Sequence, residues 1–262
     1  MNDVEQPRLA SAVGLYMEGI RDGKPEEALK KYTGAVYKQH STGVPDGQEG
    51  FLKFFSSFLE RNPERKIELV RGWEDGKYVF VHVYQSLNGG KAQWVTADFF
   101  DTDENCKLIE HWDVIAEFNA SNPSGRSNVD GDTEIRDLDK TEENKAVVRA
   151  CIENLLMRGG DVSKPDTYIS PEKYIQHNPG VGDGLEHFAK LISAPDRALW
   201  YDRIVLCVGR GNFVATLCET SWNEQKNAQV DIFRLENGRI VEHWDAVEPC
   251  PPEDELANSG KF

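Results

Sequence analysis

The sequence predicts an α+β protein of two tandem cone-shaped domains, each a curved antiparallel sheet packed against two or three helices. Three observations predict this fold. The motif Glu-His-Trp-Asp occurs twice, at Glu110–Asp113 and at Glu242–Asp245. Each half of the chain opens with apolar residues at helical spacing and closes with segments that alternate like strands. A chain of 262 residues is also long enough for two domains that each bury a core.

The duplication extends beyond this motif. Tyr37–His40 recurs as Tyr174–His177, 137 positions later, whereas the two Glu-His-Trp-Asp motifs lie 132 positions apart. Asp98–Phe100 aligns with Asp231–Phe233 between them. The second copy is therefore five residues shorter over this stretch, and loops between strands absorb such changes in length.

The repeat and a shift in composition place the domain boundaries. We expect a first domain over 1–118, a linker over 119–140, a second domain over 141–250 and a tail over 251–262. The linker is rich in Asn, Ser, Gly and Asp, which is typical of a connection between domains.

The predicted elements follow the same order in each copy. Apolar spacing predicts helices near 9–20 and 147–156, and further helices follow Gly47 and Gly184. Another helix is predicted to begin at Pro25 in the first copy. Strands are predicted over 67–73, 78–84, 204–208, 213–217, 230–235 and 239–247.

Charge and cysteine content exclude several classes of protein. The formal net charge of −15 argues against nucleic acid and anionic membranes as partners. Neither a membrane-spanning run nor the basic and apolar regions of a signal peptide occur. The five cysteines include no Cys-x-x-Cys pair, so neither a disulfide framework nor a zinc site is expected. These features predict a cytoplasmic protein.

Alternate positions of a strand share one face, and the last strand of each copy places polar residues there. His243 and Asp245 lie two positions apart between apolar neighbours, and Asp231 and Phe233 share a face of the preceding strand. A carboxylate beside an imidazole and apolar walls is the chemistry of an acid or base that works near neutral pH. The first copy repeats the arrangement with His111, Asp113 and Asp98.

The same pattern has structural interpretations, which stay open. Each His-x-Asp pair is also explained as a satisfied internal network or as a solvated face. His40 and His177 are either site residues or surface histidines, and Tyr37 and Tyr174 either line a pocket mouth or pack.

The same region of the sequence contains residue types that bind metals. His177, His243 and a carboxylate of Asp231 or Asp245 are the ligand types of a facial iron site. Their spacing in the sequence is not compact. We therefore expect neither a metal nor another cofactor.

The second copy resembles a known family. The run Val230–Asp245, preceded by Tyr174–Pro179, resembles the SnoaL-like polyketide cyclase group of the nuclear transport factor two-like superfamily. This resemblance covers nearly the whole second copy. The first copy shares the Glu-His-Trp-Asp and Gln-His motifs but has Ser41–Gly43 in place of Asn178–Gly180.

The resemblance implies a cone around an apolar pocket and cofactor-free acid–base chemistry, such as aldol ring closure, isomerisation or epoxide opening. It implies that Asp245 and Asp113 are candidate general acids or bases, and that Asp231 and Asp98 are second polar pocket residues. The predicted catalytic set is Asp245, His243, His177 and Asp231. The predicted binding set is Asp113, His111, His40, Asp98, Tyr174, Tyr37 and Phe233.

Two functions are compatible with these residues. The first is a cofactor-independent cyclase, isomerase or lyase acting on a small, largely apolar carbonyl compound. In it Asp245 removes a proton α to the carbonyl, and His243 or His177 hydrogen-bonds the developing enolate. The second is a non-catalytic ligand-binding or assembly module. An open apolar cavity favours the first, and side chains that fill the cone favour the second.

Three further expectations concern the relation between the copies. We expect them to pack through their sheets as an intramolecular pseudo-dimer, with Trp112 and Trp244 at the interface. We expect any ligand site to be better formed in the second copy, which keeps more of the family pattern. Asp245→Asn is therefore expected to abolish turnover and Asp113→Asn to have a smaller effect.

Overall fold

The computed structural model describes residues 5–262. Contacts divide the chain into two compact units. The first ends at Glu117 and also includes Pro251–Phe262, and the second is Phe118–Cys250. Among the described residues, no helix is both long and apolar enough to cross a membrane.

The first unit consists of helical segments and a five-stranded sheet. Helix α1 (Pro7–Gly14) continues as a π-helical segment, Leu15–Arg21, and α2 (Pro25–Tyr32) follows it. Pro25 occupies the first turn of α2, where its missing N–H costs nothing. The remaining elements are β1 (Thr33–Gln39), α3 (Gly47–Arg61), β2 (Arg65–Asp75), β3 (Tyr78–Leu87), β4 (Ala92–Thr102) and β5 (Leu108–Glu117).

The sheet order in this unit is β1-β5-β4-β3-β2. Strands β2 to β5 form the expected antiparallel meander, and β1 pairs in parallel with β5. This fifth strand was not predicted, because its sequence Thr33–Gln39 lacks the apolar alternation of the others. The parallel pairing matters for the site, because it sets Gln39 opposite His111.

The second unit repeats this topology. Its elements are α4 (Thr141–Cys151), the π-helical segment Ile152–Leu156, β6 (Ile175–Gln176), α5 (Leu185–Ile192), β7 (Leu199–Arg210), β8 (Phe213–Trp222), β9 (Gln225–Glu236) and β10 (Arg239–Pro249). The sheet order β6-β10-β9-β8-β7 matches the first unit strand for strand, with β6 parallel to β10. The predicted α+β fold is thus confirmed, and the topology of the first unit recurs in the second.

The two segments predicted as linker and tail both pack on a unit. Within the second unit, the Ser124 hydroxyl accepts the Asp183 N–H at 2.7 Å, and Asn212 Oδ1 accepts the Arg136 N–H at 2.7 Å. Within the first unit, Asn258 Nδ2 donates to the Ser41 carbonyl at 2.6 Å. The polar residues of 119–140 therefore form hydrogen bonds to loops of the second unit, and the segment is not an unattached linker.

Candidate functional site

The first unit encloses a cavity of about 300 Å³ between its helices and its sheet. Apolar side chains dominate the wall, among them Leu15, Ile20, Phe51, Phe55 and Phe100. The polar side chains on the wall are Tyr16, Tyr37, Gln39, Ser41, Gln85, Thr96, His111 and Asp113. A mostly apolar hollow with a few polar groups is the usual form of a small-molecule site.

A buried hydrogen-bond network joins several of these polar side chains to Asp98. His111 Nε2 is 2.9 Å from Asp98 Oδ1, and Tyr16 donates its hydroxyl to the same oxygen at 2.6 Å. His111 Nδ1 lies 2.8 Å from Gln39 Oε1. Both ring nitrogens of His111 therefore already have partners within the protein, and the ring is held in one orientation.

Burial controls the protonation of this network. It raises the pKa of Asp98 above its ordinary value, against the hydrogen bond and charge of His111, which lower it. Burial also raises the pKa of Tyr16 well above its ordinary value, and the Asp98 carboxylate adds to the effect. Tyr16 is consequently a neutral hydrogen-bond donor near neutral pH.

Asp113 faces the cavity beside an ammonium group. Lys261 Nζ lies 3.3 Å from Asp113 Oδ1, and the two side chains are only 3% and 7% exposed. The same ammonium is 3.3 Å from the Thr42 hydroxyl. The charge of Asp113 is therefore balanced at close range by a residue that lies 148 positions further along the chain.

The second unit has a much smaller cavity, of about 50 Å³. Asp231 lies on its wall and is held by the Tyr201 hydroxyl, 2.9 and 3.0 Å from its two oxygens, and by Gln229 Nε2 at 3.0 Å. Asp245, His243, Tyr174 and Phe233 also line this space. Tyr201 and Arg197 also border it.

His243 is fixed between two acceptors. Gln176 Oε1 accepts the backbone N–H groups of His177 and Asn178 at 3.0 and 3.1 Å, so the atom that faces His243 Nδ1 at 2.9 Å is an oxygen. His243 Nε2 is 3.0 Å from Asp231 Oδ1. Burial lowers the pKa of His243, but the hydrogen bond to Asp231 and the nearby carboxylates outweigh burial and raise it overall.

A titration of His243 tests this arrangement. We expect its imidazole, followed by side-chain NMR, to titrate above the ordinary value of 6.5, and Asp231→Asn to lower the midpoint. Because the folded-state pKa is raised, the pair stabilises the fold fully below about pH 6.5, and this contribution is lost as the pH rises through the raised pKa. A wild-type midpoint below 6.5 would contradict the ion pair.

Asp245 has a neutral partner in place of the ammonium. Asn178 Nδ2 donates to Asp245 Oδ2 at 2.5 Å. Burial is the main cause that raises the pKa of Asp245, and the charge of Asp231 adds to it, while the charge of His243 lowers it. The second copy therefore disfavours the charged form of this carboxylate.

His40 and His177 lie on the face of their sheets opposite the cavities. His177 Nε2 is 2.9 Å from Glu242 Oε1, and its ring stacks on Trp244 at 4.7 Å. His40 stacks on Trp112 at 5.0 Å and lies 2.9 Å from Glu110 Oε1. Contrary to the expectation, neither histidine lines its cavity, because each follows a cavity-lining glutamine, Gln39 or Gln176, and successive side chains of a strand point to opposite faces.

The two cavities do not follow the expected ranking of the copies. We expected the better ligand site in the second copy, but of the two equivalent cavities the one in the first unit is larger. Family motifs record strand ends and turns, whereas cavity volume depends on which side chains fill the space. Sequence comparison also missed Tyr16 and Tyr201, which reach the equivalent aspartates from different elements, a helical segment and β7.

The first unit contains a group of metal-ligand types. Asp98, His111 and Asp113 each offer an atom within 4.8 Å of the others. In the structure, these atoms serve the hydrogen bonds and the ion pair described above. The expected lack of a metal stays a prediction.

Comparison with known proteins identifies the first unit. A family model described as a SnoaL-like domain matches residues 13–111. Sequence analysis assigned the stronger resemblance to the second copy, whereas this match falls on the first. Among curated proteins, no sequence matches the chain significantly.

Several solved structures are similar to part of the chain. A candidate polyketide cyclase from Bacillus cereus ATCC 10987 is 17% identical, covers 42% of this chain and 74% of its own, and has a TM-score of 0.37. A candidate SnoaL-like polyketide cyclase from Jannaschia sp. CCS1 is 15% identical over 44% and 89%, with a TM-score of 0.38. A candidate ketosteroid isomerase from Kribbella flavida DSM 17836 is 14% identical over 46% and 91%, with a TM-score of 0.36.

The family match lies on the helices and strands of the first unit. The family match begins within α1 and ends within β5 at His111. It therefore spans most of the first unit's helices and strands. The first unit matches the SnoaL-like domain family over residues 13–111, and the second unit repeats its topology.

Proposed function

We propose that the first unit binds a small, largely apolar carbonyl compound and transforms it by cofactor-free acid–base chemistry, as a cyclase, isomerase or lyase. The observation that carries this proposal is the cavity of about 300 Å³ with Asp113 on its mostly apolar wall. Such a volume suits a compound of roughly ten to twenty heavy atoms, at the lower end of small-molecule pockets.

In this proposal Asp113 is the base. A carboxylate within reach of a bound ligand removes a proton α to the carbonyl, and the resulting enolate needs hydrogen-bond donors. His111 is not free to donate, because both of its nitrogens are bonded to Gln39 and Asp98. Ser41 and Gln85 line the same cavity and carry O–H and N–H donors. We therefore assign to them the hydrogen bonds to the enolate oxygen.

A second candidate function applies to the second unit. Its cavity holds about 50 Å³, and Asp245 is already bonded to Asn178. These two observations favour the non-catalytic alternative for this copy, as a binding or assembly module. The two copies would then have divided a catalytic and a supporting role.

A thermal-shift screen of polyketide, terpenoid and small carbonyl compounds tests the proposal. A compound that binds only the native state raises the melting temperature. Ile115, on the cavity wall and 38% exposed, offers a blocking variant, and Val247, 42% exposed at the equivalent position of β10, offers its matched control.

We expect Ile115→Trp to abolish the shift given by a bound compound, since the indole enters the cavity mouth, and Val247→Trp to preserve it. A shift that Val247→Trp removes and Ile115→Trp leaves intact would move the site to the second unit. If none of the carbonyl compounds raises the melting temperature, the proposed ligand class is wrong.

A further inference from the structure

The tail fastens to the loop that follows β1. Asn258 Nδ2 donates to the carbonyls of Ser41 and Val44 at 2.6 and 2.9 Å. The Ser259 hydroxyl donates to Asp46 Oδ2 at 2.5 Å. His40 Nδ1 lies 2.6 Å from the Gly260 carbonyl. The tail is therefore held by three consecutive residues on one short stretch of the first unit.

These hydrogen bonds place the next residue, Lys261, beside Asp113. A lysine side chain that is 3% exposed is rare unless its charge is paired. Here the ammonium has Asp113 Oδ1 and the Thr42 hydroxyl, each at 3.3 Å. Ordering a long side chain costs conformational entropy, so its burial at this carboxylate indicates a specific contact.

The second unit has the same fastening without the cation. His177 Nδ1 lies 2.8 Å from the Ser127 carbonyl, which is the counterpart of the Gly260 carbonyl. The residue after Ser127 is Asn128, and its side-chain oxygen accepts the Asn119 N–H at 3.0 Å. The position that carries an ammonium in the first unit thus carries a neutral amide in the second.

We propose that Lys261 is a positioning residue for Asp113, whose carboxyl group it holds by an ion pair and directs to the cavity, so that the tail completes the first unit's site. The meaning of this role for catalysis rests on the proposed function, but the contact itself does not. The other titratable groups near Asp113 are Asp98 on β4, His111 on β5, Tyr37 on β1 and Tyr16 on the π-helical segment.

The carboxyl signal of Asp113 in the full chain, without ligand, tests the role of Lys261. The carboxyl carbons of aspartate are observed by NMR in protein labelled with ¹³C-aspartate, and Asp113→Asn identifies the signal. In Lys261→Met we expect the Asp113 signal to shift at constant pH, because the ammonium no longer lies beside the carboxyl group. Lys261→Arg, which keeps the charge, should move it less than half as far.

Lys30→Met removes an ammonium that is 71% exposed and pairs with Glu26, so it is the matched control and should leave the Asp113 signal in place. If Lys261→Met does not fold, Lys261→Gln removes the charge while keeping a donor. An Asp113 signal unchanged in the folded neutral variant overturns this role. If the signal shifts but no carbonyl compound binds, the proposed function fails and the role of Lys261 stands.

Discussion

Replacing Asp113 by asparagine should lower turnover of a bound carbonyl compound by on the order of a hundredfold or more. The amide keeps the size of the side chain and can still accept a hydrogen bond from Lys261, but it cannot take a proton. Asp113 lies on the wall of the larger cavity and is paired with an ammonium. The structure therefore shifts the largest expected effect from Asp245 to Asp113.

The measurement is the exchange of α-protons of 2-tetralone for deuterium, followed by NMR with wild type, Asp113→Asn and Asp245→Asn. We expect the loss with Asp113→Asn to be at least tenfold greater than with Asp245→Asn, whose side chain adjoins only about 50 Å³ of space. Circular dichroism establishes that each variant is folded. Exchange that persists unchanged in Asp113→Asn would remove Asp113 as the base.

Trp244→Ala should destabilise the second unit by about 3–5 kcal/mol, the usual cost of deleting a buried tryptophan. Trp244 is 1% exposed, stacks on His177 at 4.7 Å and lies 6.3 Å from the Phe213 ring. Its indole N–H donates to the Asp130 carbonyl at 2.8 Å, which ties segment 119–131 to the sheet. The substitution therefore removes packing and leaves a carbonyl without its donor.

Urea unfolding of Trp244→Ala and Trp222→Ala gives the comparison. Trp222 is 50% exposed, so its replacement should change the free energy of unfolding by no more than about 0.5 kcal/mol. Ligand binding in the first unit should survive Trp244→Ala below the unfolding transition. A cost for Trp244→Ala as small as that for Trp222→Ala would show that the surrounding side chains close over the space.

Local patterns in the sequence were sufficient for the fold class and for the faces of the last strands. Because side chains alternate along a strand, two-residue spacing placed His111 and Asp113 together and His243 and Asp245 together. The same alternation put Trp244 on the opposite face. The repeat then carried the topology from one copy to the other, since equivalent patterns fold into equivalent elements.

The tertiary structure alone decided which residues meet across long separations. His40 and His177 each stack on a tryptophan of the neighbouring strand, on the outer face of the sheet. Tyr16 and Lys261 reach the Asp98 and Asp113 carboxylates from 82 and 148 positions away. Periodicity describes neighbours on one element, whereas these contacts and the volumes of the two cavities depend on how separate elements pack together.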